Sequence, residues 1–410
     1  MTSQCRHCGA PLVRPFADLG FAPPSNAYLS AEDLKRPETT YPLRTYVCTT
    51  CWLVQTEDYA DSGEIFNEDY AYFSSISTGW LKHAAEYCQM ITQRLRLDSG
   101  SHVIEVASND GYLLKNFTSA GVPCLGIEPT ASTAQAARAL GIEVLEEFFS
   151  FELACNLKQA GKSADLIVGN NVYAHVPDIN DFTAGLAAAL KPEGVITLEF
   201  PHLLQLLEFG QFDTIYHEHF SYLSLVTVQR IFRRAGLRIF DVEELTTHGG
   251  SLRIYGCMED SSHVSSPAVD AILDRERSAG LEREVTYRSF QERTERTKAR
   301  FLEFLLSAKG RGETVAAYGA AAKGNTLLNY AGIRPDLISV AYDAAPSKQG
   351  KYLPGSHIPV LSPEKIPQDK PDWLLILPWN IADEIIRQHN YVRDWGCKFA
   401  VAIPEFKVLP

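Results

Sequence analysis

Residues 214–224, TIYHEHFSYLS, bring Tyr216, His217, Glu218, His219 and Tyr222 into one short run. Phenol, carboxylate and imidazole together suit proton transfer near neutral pH. A His-x-His pair also suits a metal ion. In an extended segment residues 217 and 219 share a face and Glu218 points the other way, so three consecutive ligands are awkward and acid/base chemistry is favoured. A loop merely tied down by hydrogen bonds is a third reading. His175, in NNVYAHVPD, follows a predicted strand and is expected to face the same cleft.

A second set of chemical residues stands at the start of the chain. Cys5 and Cys8 in CRHC, and Cys48 and Cys51 in CTTC, each place two thiols on a tight turn. Two such turns complete a four-sulfur shell for zinc. Four thiolates leave no open position for a substrate, so the expected metal is structural, with His7 a neighbour rather than a ligand. The 39 residues between the pairs must make a turn-rich excursion. The other five cysteines are scattered, which fits reduced thiols rather than a disulfide framework.

The elements that must position these residues are read from periodicity. From about residue 101, apolar runs alternate with helical stretches, which predicts a parallel, doubly wound sheet. Such sheets bind ligands beyond the carboxyl ends of their strands. In VIEVASNDGYLL the first strand runs into Asn109, Asp110 and Gly111, and Glu128 closes the next strand. No G-x-G-x-x-G is present, which disfavours a nicotinamide cofactor and leaves a nucleoside without phosphates, such as S-adenosylmethionine. Residues 265–310 read as one or two long solvated helices. A second α/β pattern then begins, and YGAAAKGN sets Gly319, Lys323 and Gly324 at a strand-to-helix turn where amides and an ammonium can meet phosphate. The expected domains are a zinc-binding module (1–66), an α/β domain with a helical lead-in (67–264), a helical connector (265–310) and a second α/β domain (311–410).

Bulk composition agrees. The chain has 410 residues, 45% hydrophobic, with a net charge of -12, which argues against nucleic acid as the main partner. No apolar run is long enough to span a bilayer and no basic-then-apolar leader opens the sequence, so a cytoplasmic protein without a membrane partner is expected.

The paired cysteines, then E-V-A-S-N-D-G and G-I-E-P, then Y-x-E-H-F, then Y-G-A-A-A-K-G-N make an ordered series. From end to end it resembles the zinc-containing sugar C-methyltransferases, which methylate a carbon of a nucleotide-linked keto-deoxysugar. The resemblance implies an α/β protein: a zinc-binding module, a central class I S-adenosylmethionine-methyltransferase (Rossmann-like) sheet, and a second Rossmann-like domain. It implies S-adenosylmethionine on Asn109, Asp110, Gly111 and Glu128, with Glu105 and Asn170 beside them. Ala107 stands where relatives usually carry glycine. Tyr-x-Glu-His matches Tyr216, Glu218 and His219 and leaves His217 at the variable position. His219 is therefore the expected base, with Tyr216, Glu218, His175 and Tyr70 as catalytic companions. Tyr72 and Tyr222 are expected at the substrate, and Gly319, Lys323, Gly324, Asn325 and Asp343 at its nucleotide diphosphate. The chemistry implied is removal of a proton beside a ketone, followed by attack of the enolate carbon on the sulfonium methyl. An O- or N-methyltransferase of a related acceptor is the alternative; a non-catalytic nucleotide-sugar scaffold and an NAD-dependent reductase fit the residues less well.

Overall fold

The computed structural model describes residues 3–57, 59 and 73–410. The expectations for Tyr70 and Tyr72 lie outside the described residues.

The N-terminal module is an antiparallel sheet of β1 (Arg14–Ala22), β2 (Tyr41–Val47) and β3 (Val54–Thr56), and its fourth strand, β9 (Ser221–Tyr222), comes from far along the chain. The excursion between β1 and β2 crosses to the carboxyl-terminal domain: Leu29 bridges Tyr352, and Glu38 Oε2 lies 2.8 Å from His357 Nε2. A turn-rich segment in the sequence is thus a tie between modules.

The central domain opens with helix α1 (Thr78–Leu95), capped by the Ser77 hydroxyl, which accepts from the Trp80 amide. Its sheet contains β4 (Val103–Val106), β5 (Cys124–Ile127), β6 (Glu143–Leu145), β7 (Ala164–Asn170), β8 (Leu190–Pro201), β10 (Leu237–Leu245) and β11 (Ser251–Met258), in the order β10-β11-β8-β7-β4-β5-β6. Every residue of β4 is buried, as a strand covered on both faces requires. The chain turns back at β4, and this reversal opens a crevice beyond the carboxyl ends of β4 and β7. The sheet is not wholly parallel: β11 is antiparallel to β8 and to β10. Only five residues separate β10 from β11, too few for a parallel crossover. Nor is β11 an edge, since it slots between its two partners.

The 265–310 segment corrects the expectation of a solvated connector. Helix α2 (Pro267–Ser278) buries Val269, Ile272 and Leu273 in the core of the central domain. Its Glu276 is fully buried and accepts hydrogen bonds from the Leu225 and Val226 amides and from His202 Nε2 at 2.6–2.8 Å. Helix α3 (Phe290–Gly310) buries Phe290, Phe301 and Leu305 in a different core, with Phe16 stacked on Phe290 at 4.4 Å. Apart from Glu276, the charged residues that dominate the sequence here occupy the outward faces.

The carboxyl-terminal sheet, order β14-β13-β12-β15-β16-β17, comprises β12 (Val315–Tyr318), β13 (Ala341–Tyr342), β14 (Val360–Leu361), β15 (Trp373–Ile376), β16 (Lys398–Val401) and β17 (Lys407–Leu409). It is parallel except for β17. Helix α4 (Ala322–Ala331) follows β12 through the YGAAAKGN turn. Gly319 has φ +91°, and a Cβ there would lie 2.5 Å from Pro378 Cδ, so only glycine lets the turn pass so close.

Candidate active site between the two sheets

A cluster of four cysteines anchors the sheet that the 216–222 segment joins. The ligand atoms of Cys5, Cys8, Cys48 and Cys51 lie within 4.8 Å of one another, with Cys5–Cys51 and Cys8–Cys48 sulfurs 3.5 Å apart. Tetrahedral zinc–thiolate bonds place sulfurs about 3.8 Å apart, so the residues fit the ion. His7 turns away from the sulfurs and pairs with Asn180 at 2.8 Å. Gln55 on β3 donates to Cys5 Sγ at 3.2 Å. The same strand pairs with β9, and the Thr56 hydroxyl donates to the His219 carbonyl at 3.0 Å. Phe220 N–H in turn donates to the Ala174 carbonyl, beside His175. The cysteine knuckles therefore frame both histidines.

Residues 216–219 form a turn, closed by His219 N–H on the Tyr216 carbonyl at 2.9 Å, rather than the extended run expected. The turn parts the two histidines. His217 lies 3.1 Å from the Pro42 carbonyl, in the N-terminal module. His219 Nδ1 lies 2.8 Å from the Thr214 carbonyl, which can only accept, so Nδ1 carries the proton. Nε2 is then the acceptor, and the Tyr216 hydroxyl donates to it at 2.8 Å. Burial, reinforced by His175, holds His219 well below the ordinary histidine range, and it is neutral at pH 7. His175 lies with its ring 4.6 Å from that of His219 and is pulled down to about 4 by burial. Glu218 accepts from Asn26 Nδ2 at 2.6 Å. Tyr222 is buried with its ring 6.1 Å from that of His219 and backs the imidazole rather than lining the cavity.

His175, Tyr216, Glu218 and His219 face a cavity of 580 Å³ that Asn109, Glu128, Asn170 and Lys323 also line. The turn after β4 is tightly wound: Ala107, Asn109 and Gly111 have φ of +58°, +50° and +76°. A Cβ on Gly111 would meet Ile142 Cδ1 at 2.5 Å. Ala107 lines the cavity in a conformation that suits glycine, at a strain of about 1 kcal/mol. Glu128 accepts from the Asn109 and Thr130 amides, both at 2.9 Å. Glu105 stands opposite Val168, two residues before Asn170. Neither Glu105 oxygen, nor Asp110 Oδ1, nor either polar atom of the Asn170 amide has a hydrogen-bond partner among the described residues, and all are buried. Burial, with Glu128 and Asp110 nearby, pushes the Glu105 carboxyl well up. Unpartnered buried acceptors call for a cationic donor. Asn109, Glu128 and Asn170 line the cavity and offer acceptors that suit the amino and hydroxyl groups of S-adenosylmethionine, whereas Glu105, Asp110 and Gly111 do not line it.

The carboxyl-terminal domain supplies the far wall through Ala321, Ala322, Lys323, Lys348, Pro378 and Asn380. Gly319, Gly324, Asn325 and Asp343 do not line it. Gly324 packs against Leu377, Asn325 donates to the Ser25 carbonyl at 2.7 Å, and Asp343 accepts from the Ala320 and Ala345 amides. They shape the turn. Sequence reasoning missed Asn26, Trp80, Tyr112, His248 and Lys348, all in the cavity wall. Only His248, followed by two glycines of positive φ, carried a local signal.

Fold and site together define an S-adenosylmethionine-dependent methyltransferase with a structural zinc module. Residues 5–66 match a family model described as a zinc binding domain, 80–242 one described as a methyltransferase domain, and 246–404 one described as a C-methyltransferase C-terminal domain. The chain is 36% identical over 406 residues to C-methyltransferase NovU of Streptomyces niveus, covering 99% of this chain and 96% of that protein. It belongs to this family of zinc-containing C-methyltransferases. A ubiquinone biosynthesis O-methyltransferase of Bradyrhizobium sp. (strain ORS 278) is 26% identical over 103 residues, 24% of this chain and 40% of that protein. Among solved structures, the YcgJ protein of Bacillus subtilis aligns over 44% of this chain and 100% of its own, with a TM-score of 0.35 and 11% identity.

Proposed function

We propose that the chain methylates a carbon beside the ketone of a nucleoside-diphosphate-linked keto-deoxysugar. The observation that carries the proposal is the Tyr216–His219 pair, with the proton-accepting Nε2 engaged by a phenol that lines the same cavity as the Asn109–Glu128 turn. Asn109, Glu128 and Asn170 would hold S-adenosylmethionine. When bound, it supplies an electrophilic methyl on a sulfonium sulfur that departs as a neutral thioether.

Because Tyr216 already donates to Nε2, phenol and imidazole act as one base. The proton leaves the sugar carbon for the Tyr216 oxygen while the phenol's own proton passes to His219. The imidazolium keeps its Nδ1–H on the Thr214 carbonyl. Its depressed pKa makes this step costly in the free protein, and the negative charge gathering on the ketone oxygen in the same cavity offsets the cost. His175, its ring 4.6 Å from that of His219, walls the cavity beside the base. Glu218, held by Asn26, orients a sugar hydroxyl. Lys348 and the amides opening α4 receive the diphosphate, and binding energy from this remote group aligns the reacting carbon.

The test is deuterium exchange from solvent into a nucleotide-linked 4-ketosugar with no methyl donor present. Wild-type protein is expected to catalyse it and His219→Ala to lose at least about 100-fold. Absence of exchange together with an O-methyl product overturns the proposal.

A further inference from the structure

Lys323 belongs to the carboxyl-terminal domain but reaches out of it. It is the second residue of α4, and its Nζ donates to the carbonyl of His248, on the loop joining β10 and β11 of the methyltransferase domain, at 3.1 Å. The family resemblance implies a diphosphate role for this lysine. The structure contains a better candidate for that task in Lys348, which donates to the Ala320 carbonyl at 2.8 Å and lies 3.5 Å from Asp343, beside the turn that opens α4. Both lysines line the cavity, but Lys323 is tied to the methyltransferase domain through His248 and Lys348 to the turn that opens α4.

The surroundings of Lys323 are those of a reacting centre. Its ammonium lies 5.0 Å from the Trp379 ring, and the indole N–H of that tryptophan donates to Asp213 Oδ2 at 2.7 Å. Asp213 is buried, immediately precedes Thr214, whose carbonyl fixes the His219 tautomer, and supplies the counter-charge for the ammonium. An ammonium has three donors, and among the described residues one is taken, by the His248 carbonyl. The charge of Lys323 also acts directly on the imidazoles of His219 and His248, so it lies within electrostatic range of the base.

We infer that Lys323 is a catalytic residue, whose ammonium stabilises the negative charge on the ketone oxygen as the adjacent carbon loses its proton. The inference rests on the keto-sugar reading. The step balances: the carbon–hydrogen bond breaks, its electron pair forms the carbon–carbon double bond, the carbonyl pair moves to oxygen opposite Lys323, and the proton enters the Tyr216–His219 pair. When the carbon–methyl bond forms, the charge on oxygen collapses back to the carbonyl. A cation in a water-poor pocket aimed at charge that exists only after deprotonation accelerates that step without tightening ground-state binding.

Three measurements on Lys323→Met and Lys348→Met test this: thermal melting, calorimetric affinity for a nucleoside diphosphate lacking the sugar, and solvent deuterium exchange into a nucleotide-linked 4-ketosugar. Lys323→Met is expected to bind the nucleoside diphosphate within about threefold of wild type and to lose about 100–1,000-fold in exchange rate. Lys348→Met is expected to lose about tenfold or more in affinity for the nucleoside diphosphate. Lys323→Gln, which keeps a hydrogen-bond donor but no charge, replaces Lys323→Met if the latter melts early, with the same expectations. Wild-type exchange together with unchanged exchange in the Lys323 variant, or a loss confined to diphosphate affinity, overturns the assignment of Lys323 alone. No exchange by wild-type protein overturns the keto-sugar reading itself.

Discussion

With the Nδ1 proton of His219 committed to the Thr214 carbonyl, the choice of basic nitrogen is made by the backbone rather than by the substrate. Burial likewise governs a carboxyl on β4, one residue before Val106, which lines the cavity. Glu105 is a buried carboxyl with no hydrogen-bond partner among the described residues, lifted by burial and by two neighbouring carboxylates. Its proton should leave when a cation arrives. Calorimetry of S-adenosylmethionine binding near neutral pH, in buffers of different ionisation enthalpy, is expected to show release of up to about one proton, and Glu105→Gln to abolish the release. Equal heats in all buffers for wild-type protein would count against this linkage.

Elements link the cysteine cluster to the cavity. The short strand β9 pairs with β3, which Gln55 ties to Cys5 Sγ. Arg6, inside the first cysteine knuckle, adds a bond to the Pro177 carbonyl at 2.7 Å and lies over the Phe220 ring at 5.2 Å. Without the ion four thiols would have to stay packed unpaired, and the strand pairing would go with them. Zinc removal by a chelator is expected to abolish solvent exchange into the ketosugar while most helical circular dichroism persists. Gln55→Ala is expected to keep its zinc by elemental analysis and to lose about tenfold in kcat. Full activity in either preparation would sever the proposed link.

At the scale of the whole molecule, the N-terminal module is a wedge rather than an appendage. Cys5, Leu12, Cys48 and Leu53 share one core with β4 and β8, while Phe16, Leu19 and Leu43 share another with α3 and the carboxyl-terminal sheet. The cavity between the sheets gathers several histidines that fold neutral: His175 and His248 lie at about 4 and His219 is well below its usual 6.5. In the unfolded chain these groups bind protons as pH falls below about 6.5, so their burial costs stability progressively down through that window. Asp213, raised by burial to about 6, has the opposite sign and costs stability as pH rises through its folded value, as does Glu105. Three histidines against two carboxyls predict a net loss on acidification. Melting temperature is expected to drop by a few degrees from pH 7.5 to 5.5, and His248→Asn to flatten the slope; a rise on acidification would contradict it. Among the described residues no helix is long and apolar enough to cross a membrane.

Covalent spacing made some of this legible in the sequence. Two C-x-x-C turns, the N-D-G turn with Glu128 one strand later, and Tyr-x-Glu-His are local patterns whose geometry follows from a few consecutive residues, and the structure brings each together. The alternation of apolar strands and helices likewise revealed two α/β sheets, because burial on both faces leaves a continuous apolar mark. What remained hidden depended on which distant segments meet. The solvated look of 265–310 concealed buried Glu276 and Phe301, since charge on an outer face says nothing of the inner one. Asn26, Trp80, His248 and Lys348 enter the cavity from four separate stretches of the chain, and the partner of Lys323 lies 75 residues away in another domain. Such encounters are set by the packing of whole domains, and only the tertiary structure decides them.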